Sequence, residues 1–128
     1  IREMVSTFRD QLPPDVMDGE AAAYLLQMSQ ELLRFWHMHE KMVRNIENSS
    51  MFPLLLSILL DQITEDIILV LRRSCPDLAQ DTGKLKGVAA FYAGGLINTF
   101  FRCTQKDSSI DENAFLEIAA EYAAKIPL

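Results

Sequence analysis

A chain of 128 residues, 49% of them hydrophobic, is long enough to bury one core without disulfides or metals and too apolar to stay disordered. Its 12 basic and 18 acidic side chains leave a net charge of −6, which argues against a broad electrostatic attraction to nucleic acid by this segment alone. Cys75 and Cys103 are the only cysteines and form no CxxC pair, so neither a zinc knuckle nor a disulfide framework is expected, and both read as thiols of a reducing compartment.

Arg2, Glu3, Arg9 and Asp10 interrupt any apolar run at the start, so no signal peptide is read there. The longest greasy stretch, Phe52 to Leu60, is too short to span a bilayer as a helix. A cytoplasmic location is expected by elimination, with no membrane partner.

Every strong periodic signal is helical, and strand alternation, internal repeats and low-complexity segments are missing. The pattern predicts an all-α bundle of about five to six helices in a single domain spanning residues 1–128. A first helix, Met4 to Leu12, is stopped by Pro13-Pro14, because the residue before a proline is pushed out of the helical region. A long helical pattern runs from about Glu20 to Ile46, with Leu25, Met28, Leu32, Phe35, Trp36, His39, Met42, Val43 and Ile46 on one continuous face and a break or kink expected near Trp36 and His37. Asn48-Ser49-Ser50 marks the next boundary, where Ser50 is placed to cap a helix and Pro53 falls in its first turn. That third helix, to about Arg73, is apolar nearly all round, with only Ser57, Asp61, Glu65 and Arg72 as a narrow polar strip, and is therefore predicted to be central and buried. Ser74 to Gly83 reads as the one substantial loop. A fourth helix covers about Lys84 to Gln105. A last helix, Asp111 to Lys125, is introduced by Ser109-Ile110-Asp111-Glu112, which fits a capping box.

The fourth helix has two separately patterned faces. Leu85, Val88, Ala89, Tyr92, Leu96, Thr99 and Cys103 recur at the helical period as a core stripe. A second stripe carries Phe91, Gly94, Gly95, Asn98, Phe101 and Arg102. Glycine costs roughly 1 kcal/mol relative to alanine inside a helix, so two in succession suggest a close approach of something to the backbone. A contact between subunits is expected, with Gly94, Gly95 and Asn98 allowing the approach, Phe91, Phe101 and Phe115 supplying apolar area and Arg102 near the rim.

Other constellations point away from catalysis and metals. His37 and His39 lie two apart and face opposite sides of a helix, and His37 with Glu40 supplies only two ligands. Asp61 and Glu65 read as a solvated helix face rather than as paired acid and base. Neither GxSxG nor a glycine-rich loop before a helix is present. No catalytic residue, metal or cofactor is therefore expected. Tyr24, Met28, Phe35, Trp36, Met38 and Met42 leave two readings open, plain core or the lining of an apolar pocket.

Phe91-Tyr92-Ala93-Gly94-Gly95-Leu96, the polar turn with Ser108-Ser109, and Glu112 to Tyr122 together resemble the last two helices of the ligand-binding, dimerising domain of TetR-type bacterial transcriptional regulators. His37 to Phe52 with the apolar helix through Arg73 is similar to the middle of that domain. Many relatives carry a Trp where Cys103 stands here, so contacts made by that aromatic do not carry over. The resemblance implies a homodimer and an apolar or amphipathic effector between the second, third and fourth helices, near Tyr24, Met28, Trp36, Leu59, Ile63 and Tyr92. It also implies a DNA-binding helix-turn-helix upstream of Ile1, a start that reads as that of a fragment. The alternative is a helical interaction or oligomerisation module without a small-molecule pocket. A small bundle enzyme or metal carrier fits least.

Overall fold

Pro13 and Pro14 terminate α1 (Arg2–Gln11), and a run of turns carries the chain to α2 (Ala21–Met38). The computed structural model describes residues 2–126, and Ile1 lies outside them. All regular structure among the described residues is helical, continuing through α3 (Glu40–Glu47), α4 (Phe52–Ser74), α5 (Pro76–Ala79), α6 (Thr82–Cys103) and α7 (Glu112–Ala123). The all-α architecture read from the periodicity is thus present.

The element boundaries differ from the expected ones in instructive places. The long second pattern breaks at His39, two residues beyond His37, where the backbone leaves helical geometry at φ −130° and ψ 35°. The His39 N–H still donates to the Phe35 carbonyl at 2.9 Å, and its ring lies 4.5 Å from that of Phe35. Pro53 does stand in the first turn of α4, where its missing N–H leaves no orphan donor. Ser50 does not cap it: the Ser49 hydroxyl accepts from the Met51 N–H at 3.1 Å and donates to the Ile46 carbonyl at 2.8 Å, closing the turn instead. The expected loop contains α5, a single turn opened by Pro76. At α7 the cap is Asp111, whose carboxylate accepts from the Ala114 N–H at 2.7 Å, so the Ser109 capping box does not form. A carboxylate placed directly at the helix N-terminus meets the same orphan donors and adds its charge to the helix dipole. Asp81 caps α6 in the same way, through the Lys84 N–H at 3.0 Å.

Buried side chains from all seven helices meet in one core. Within it α4 lies along α6, and α2 along α7. Leu55, Leu59, Ile63, Ile67, Val70 and Leu71 form the buried line of α4. The helix is less enclosed than its composition suggests, since Leu54 and Leu69 are exposed. The facing line of α6 is Leu85, Ala89, Ala93, Ile97 and Phe100, in which the alanines let the two helices approach closely.

Two polar clasps tie the helices together at their margins. Tyr24 of α2 donates to Asp66 Oδ2 at 3.0 Å, Gln62 donates to Asp66 Oδ1 at 3.1 Å, and Arg9 of α1 donates to Gln62 Oε1 at 3.0 Å. Burial pushes the Tyr24 phenol well above its ordinary range, with the Asp66 charge adding to the shift, so the group stays a donor. At the other end Glu47 Oε2 accepts from Thr104 Oγ1 at 3.3 Å and Gln105 Nε2 at 2.8 Å, joining α3 to the end of α6. Glu47 Oε1 is buried without a partner, and burial raises this carboxyl above its ordinary value of 4.5 despite those donors.

Two outcomes follow from the clasps. Tyr24→Phe removes a hydrogen bond to a charged acceptor and should lower unfolding free energy by about 1–3 kcal/mol in urea titrations, with the m-value unchanged. Glu47 binds its proton more tightly folded than unfolded, so the charged carboxylate weighs against the folded state at neutral pH and this penalty fades as pH falls through the raised pKa toward 4.5. The stability of Glu47→Gln relative to wild type should therefore increase as pH rises from 4.5 to 7, measured as paired thermal melts; a difference independent of pH would contradict the assignment.

Candidate functional site

The side of α6 turned away from α4 carries Gly87, Phe91, Gly94, Gly95, Asn98 and Arg102, spaced by three and four residues along one face. Phe91 is 79% exposed. A Cβ added at Gly87, Gly94 or Gly95 would meet nothing within 4 Å. Nothing in the same chain presses on these glycines, so the close approach expected at Gly94-Gly95 is not made by a neighbouring helix of the monomer. Alongside, α7 exposes Ile118 (41%) and Tyr122 (52%), which extend the apolar surface begun by Phe91.

Two residues expected on this surface belong elsewhere. Phe101 is buried, with its ring edge-on to Phe52 at 5.1 Å and to Phe100 at 5.0 Å. It lies one helical turn beyond Ile97 on the line that faces the core, so its rotation about the helix axis takes it away from Asn98 and Arg102. Phe115 is also fully buried, 6.1 Å from Phe100. Neither ring offers area to a second subunit. Phe91, Gly94, Gly95, Asn98 and Arg102 do share one outward face.

Between α2, α6 and α7 a cleft of about 250 Å³ opens onto the same surface. Leu25 and Ser29 of α2 form its floor, Tyr92, Gly95 and Thr99 one wall, and Ile118 and Tyr122 the other. The Ser29 hydroxyl donates to the Leu25 carbonyl at 2.7 Å, and the Tyr92 hydroxyl reaches the Tyr122 carbonyl at 3.4 Å. These two hydroxyls are thereby engaged by backbone, and apart from the neutral side chains of Thr99 and Tyr122 the remaining lining is apolar.

The effector pocket expected between the second, third and fourth helices is placed differently. Tyr24, Met28 and Ile63 are packed into the core at 1% exposure each. Leu59 borders only a void of about 20 Å³ beside Phe8 and Phe35. Trp36 is half-buried near the α2–α3 joint, with the Arg44 guanidinium 5.7 Å over its ring and its Nε1 buried without a partner. Of the six residues, Tyr92 alone lines the cleft. The signal that marks the actual cleft is the set of small side chains Gly95, Thr99 and Ala119, which leave space between larger ones.

The histidines take part in side-chain contacts within the chain. His37 Nε2 pairs with Glu112 Oε1, linking the end of α2 to the start of α7. Among the described residues no group of three or more His, Cys, Asp or Glu side chains is placed to hold a metal ion, and no helix is long and apolar enough to cross a membrane. No protein-family model, curated protein or solved structure matches the chain.

With open space around its missing side chain, Gly95 weakens an isolated α6 and nothing else in the monomer. Gly95→Ala should raise the stability of the dilute monomer by about 1 kcal/mol in chemical denaturation, because alanine is the better helix former and restricts the unfolded chain. A loss of stability under those conditions would mean that the helix backbone is already crowded at this position.

Proposed function

We propose that this chain is the regulatory domain of a TetR-like bacterial transcriptional regulator acting in the cytoplasm, pairing through α6 and α7 and reaching DNA only through a helix-turn-helix region outside it. The observation that carries this reading is the outward face of α6, where Phe91 stands exposed among three glycines whose added Cβ atoms would touch nothing. A solvated helix gains nothing from such glycines. A helix that packs against a second copy of this chain gains close contact, and an isologous pairing sets the α6–α7 patch of each copy against its symmetry mate. The likeness of residues 91–122 to the dimerising helices of that family supports the same surface.

Regulation in such a domain is a coupling free energy between two sites. An effector that binds better to one arrangement of the pair shifts the spacing of the DNA-reading heads, and DNA and effector then alter each other's affinity by the same factor. No catalytic role is assigned to any residue. A second reading, a helical interaction module with no small-molecule pocket, is favoured by the solid packing of Tyr24, Met28 and Ile63.

Pairing through α6 predicts a dimer at micromolar concentration in sedimentation velocity. Gly95→Leu, whose Cβ meets nothing in the monomer but whose side chain obstructs a second helix, should shift the distribution to monomer while leaving the far-ultraviolet helical signal unchanged. A wild-type chain that sediments as a monomer throughout that range would remove the basis of the reading.

A further inference from the structure

The cleft and the exposed face are one continuous feature. Phe91, Gly95, Ile118 and Tyr122 border the cavity, and each is also exposed to solvent. Anything that covers the face therefore closes the cavity.

We propose that the cleft between α2, α6 and α7 is a binding site for an uncharged, predominantly apolar ring compound, and that a second copy of this chain forms its outer wall. The proposal rests on the dimerisation reading of α6 and α7 and adds that ligand and dimer stabilise each other through this site.

The ligand class follows from the walls. Leu25, Leu96, Phe115 and Ile118 are apolar, the Ser29 and Tyr92 hydroxyls already donate to backbone carbonyls, and Thr99 and Tyr122 add only neutral hydroxyl-bearing side chains. No charged side chain lines the cavity, so an ionised ligand would lose its hydration without compensation. A volume of about 250 Å³ suits a molecule of one or two rings.

The second copy is identified by charge and by shape. Within its span α6 carries Lys84, Lys86 and Arg102 and no acid. Within its span α7 carries Glu112, Glu117 and Glu121 and no base, with Glu112 in contact with His37 and Glu121 3.8 Å from Lys125 just past the helix. A two-fold contact that sets α6 of one copy against α7 of the other pairs opposite signs in both halves at once, although the chain as a whole is acidic and repels its like at long range. Gly87 and Gly94 stand seven residues apart, two turns along one face, which is the spacing that admits another helix along its length. The exposed ring of Phe91 at the lip of the cleft then enters the same contact from each side.

A ligand held by walls from both copies binds the dimer more tightly than the monomer, and mass action turns that preference into stronger association. The neutral fluorescent probe N-phenyl-1-naphthylamine tests this directly with the 128-residue chain. Sedimentation velocity is run across a dilution series with and without the probe, and probe emission is followed over the same series. If the probe binds only the dimer at two equivalent sites, a concentration ten times its Kd multiplies the association constant by roughly a hundred. Emission per protein chain should rise through the dimerisation range. Ala119→Phe, which fills the cleft from α7, should abolish the probe signal, and the wild-type titration stands by itself if that variant fails to fold. A dimer whose association constant is indifferent to the probe overturns the composite site and leaves the dimerisation reading intact. Equal probe binding by monomers at high dilution overturns it as well. A chain that remains monomeric with and without the probe defeats both.

Discussion

The close packing of α6 along α4 decides where everything on the far side of α6 points. Leu85, Ala89 and Ala93 are fully buried and Ile97 nearly so, and these positions fix the rotation of α6 about its own axis. With 3.6 residues per turn, that rotation leaves no freedom for the remaining positions. Gly87, Phe91, Gly94, Gly95 and Asn98 are carried outward as a consequence of what their neighbours bury. Alanine on the inner line and glycine on the outer line serve the same end, a helix approachable from both sides, but alanine does so without the cost in helix propensity. The glycines stand where an added methyl group would meet nothing in the monomer, and the alanines stand where the α4 side chains fill the gap.

The polar clasps act at the edges of that arrangement. Asp66 gathers Tyr24 and Gln62 and, through Gln62, reaches α1, so a single carboxylate couples three helices. Glu47 does the same for the ends of α3 and α6, but with one oxygen left buried and unpaired. The first clasp is satisfied and rigidifying, whereas the second holds its partners at a cost that depends on protonation. Each lies away from the cleft, and neither contributes a wall to it.

Periodicity made the helices legible, and prolines made several of their ends legible, because both are local properties of the chain. The break at His39 was less so, since neither proline nor glycine stands there and the departure is seen only in the backbone and in the seat of the ring on Phe35. The spacing of the second stripe of α6 predicts a single face, yet Phe101 turns inward while Asn98 and Arg102 turn outward. Spacing orders residues around a helix but does not say which sector meets a neighbour, and Phe101 lies at the border of two sectors. The cavity was harder still. Its walls come from three helices, with α2 far in sequence from the consecutive α6 and α7, and an empty volume arises from the mismatch of side-chain sizes across them rather than from any one helix. Tyr24, Met28 and Ile63 looked like pocket residues because bulky apolar side chains fill cores and line pockets alike. Packing density distinguishes the two uses, and sequence does not report it.

Trp36, the only tryptophan of the chain, has a place that gives the molecule a built-in optical reporter with a restricted field of view. The indole sits two turns along α2 from Ser29, close to the ring of His37 and under the Arg44 guanidinium. It touches the joint between α2 and α3 and the ring of His37, whose contact with Glu112 links α2 to α7, but it does not line the cleft. Its emission is therefore silent to simple contact with a molecule lodged beside Tyr92. A change in that emission on ligand addition would instead register a displacement carried along α2 to its C-terminal end.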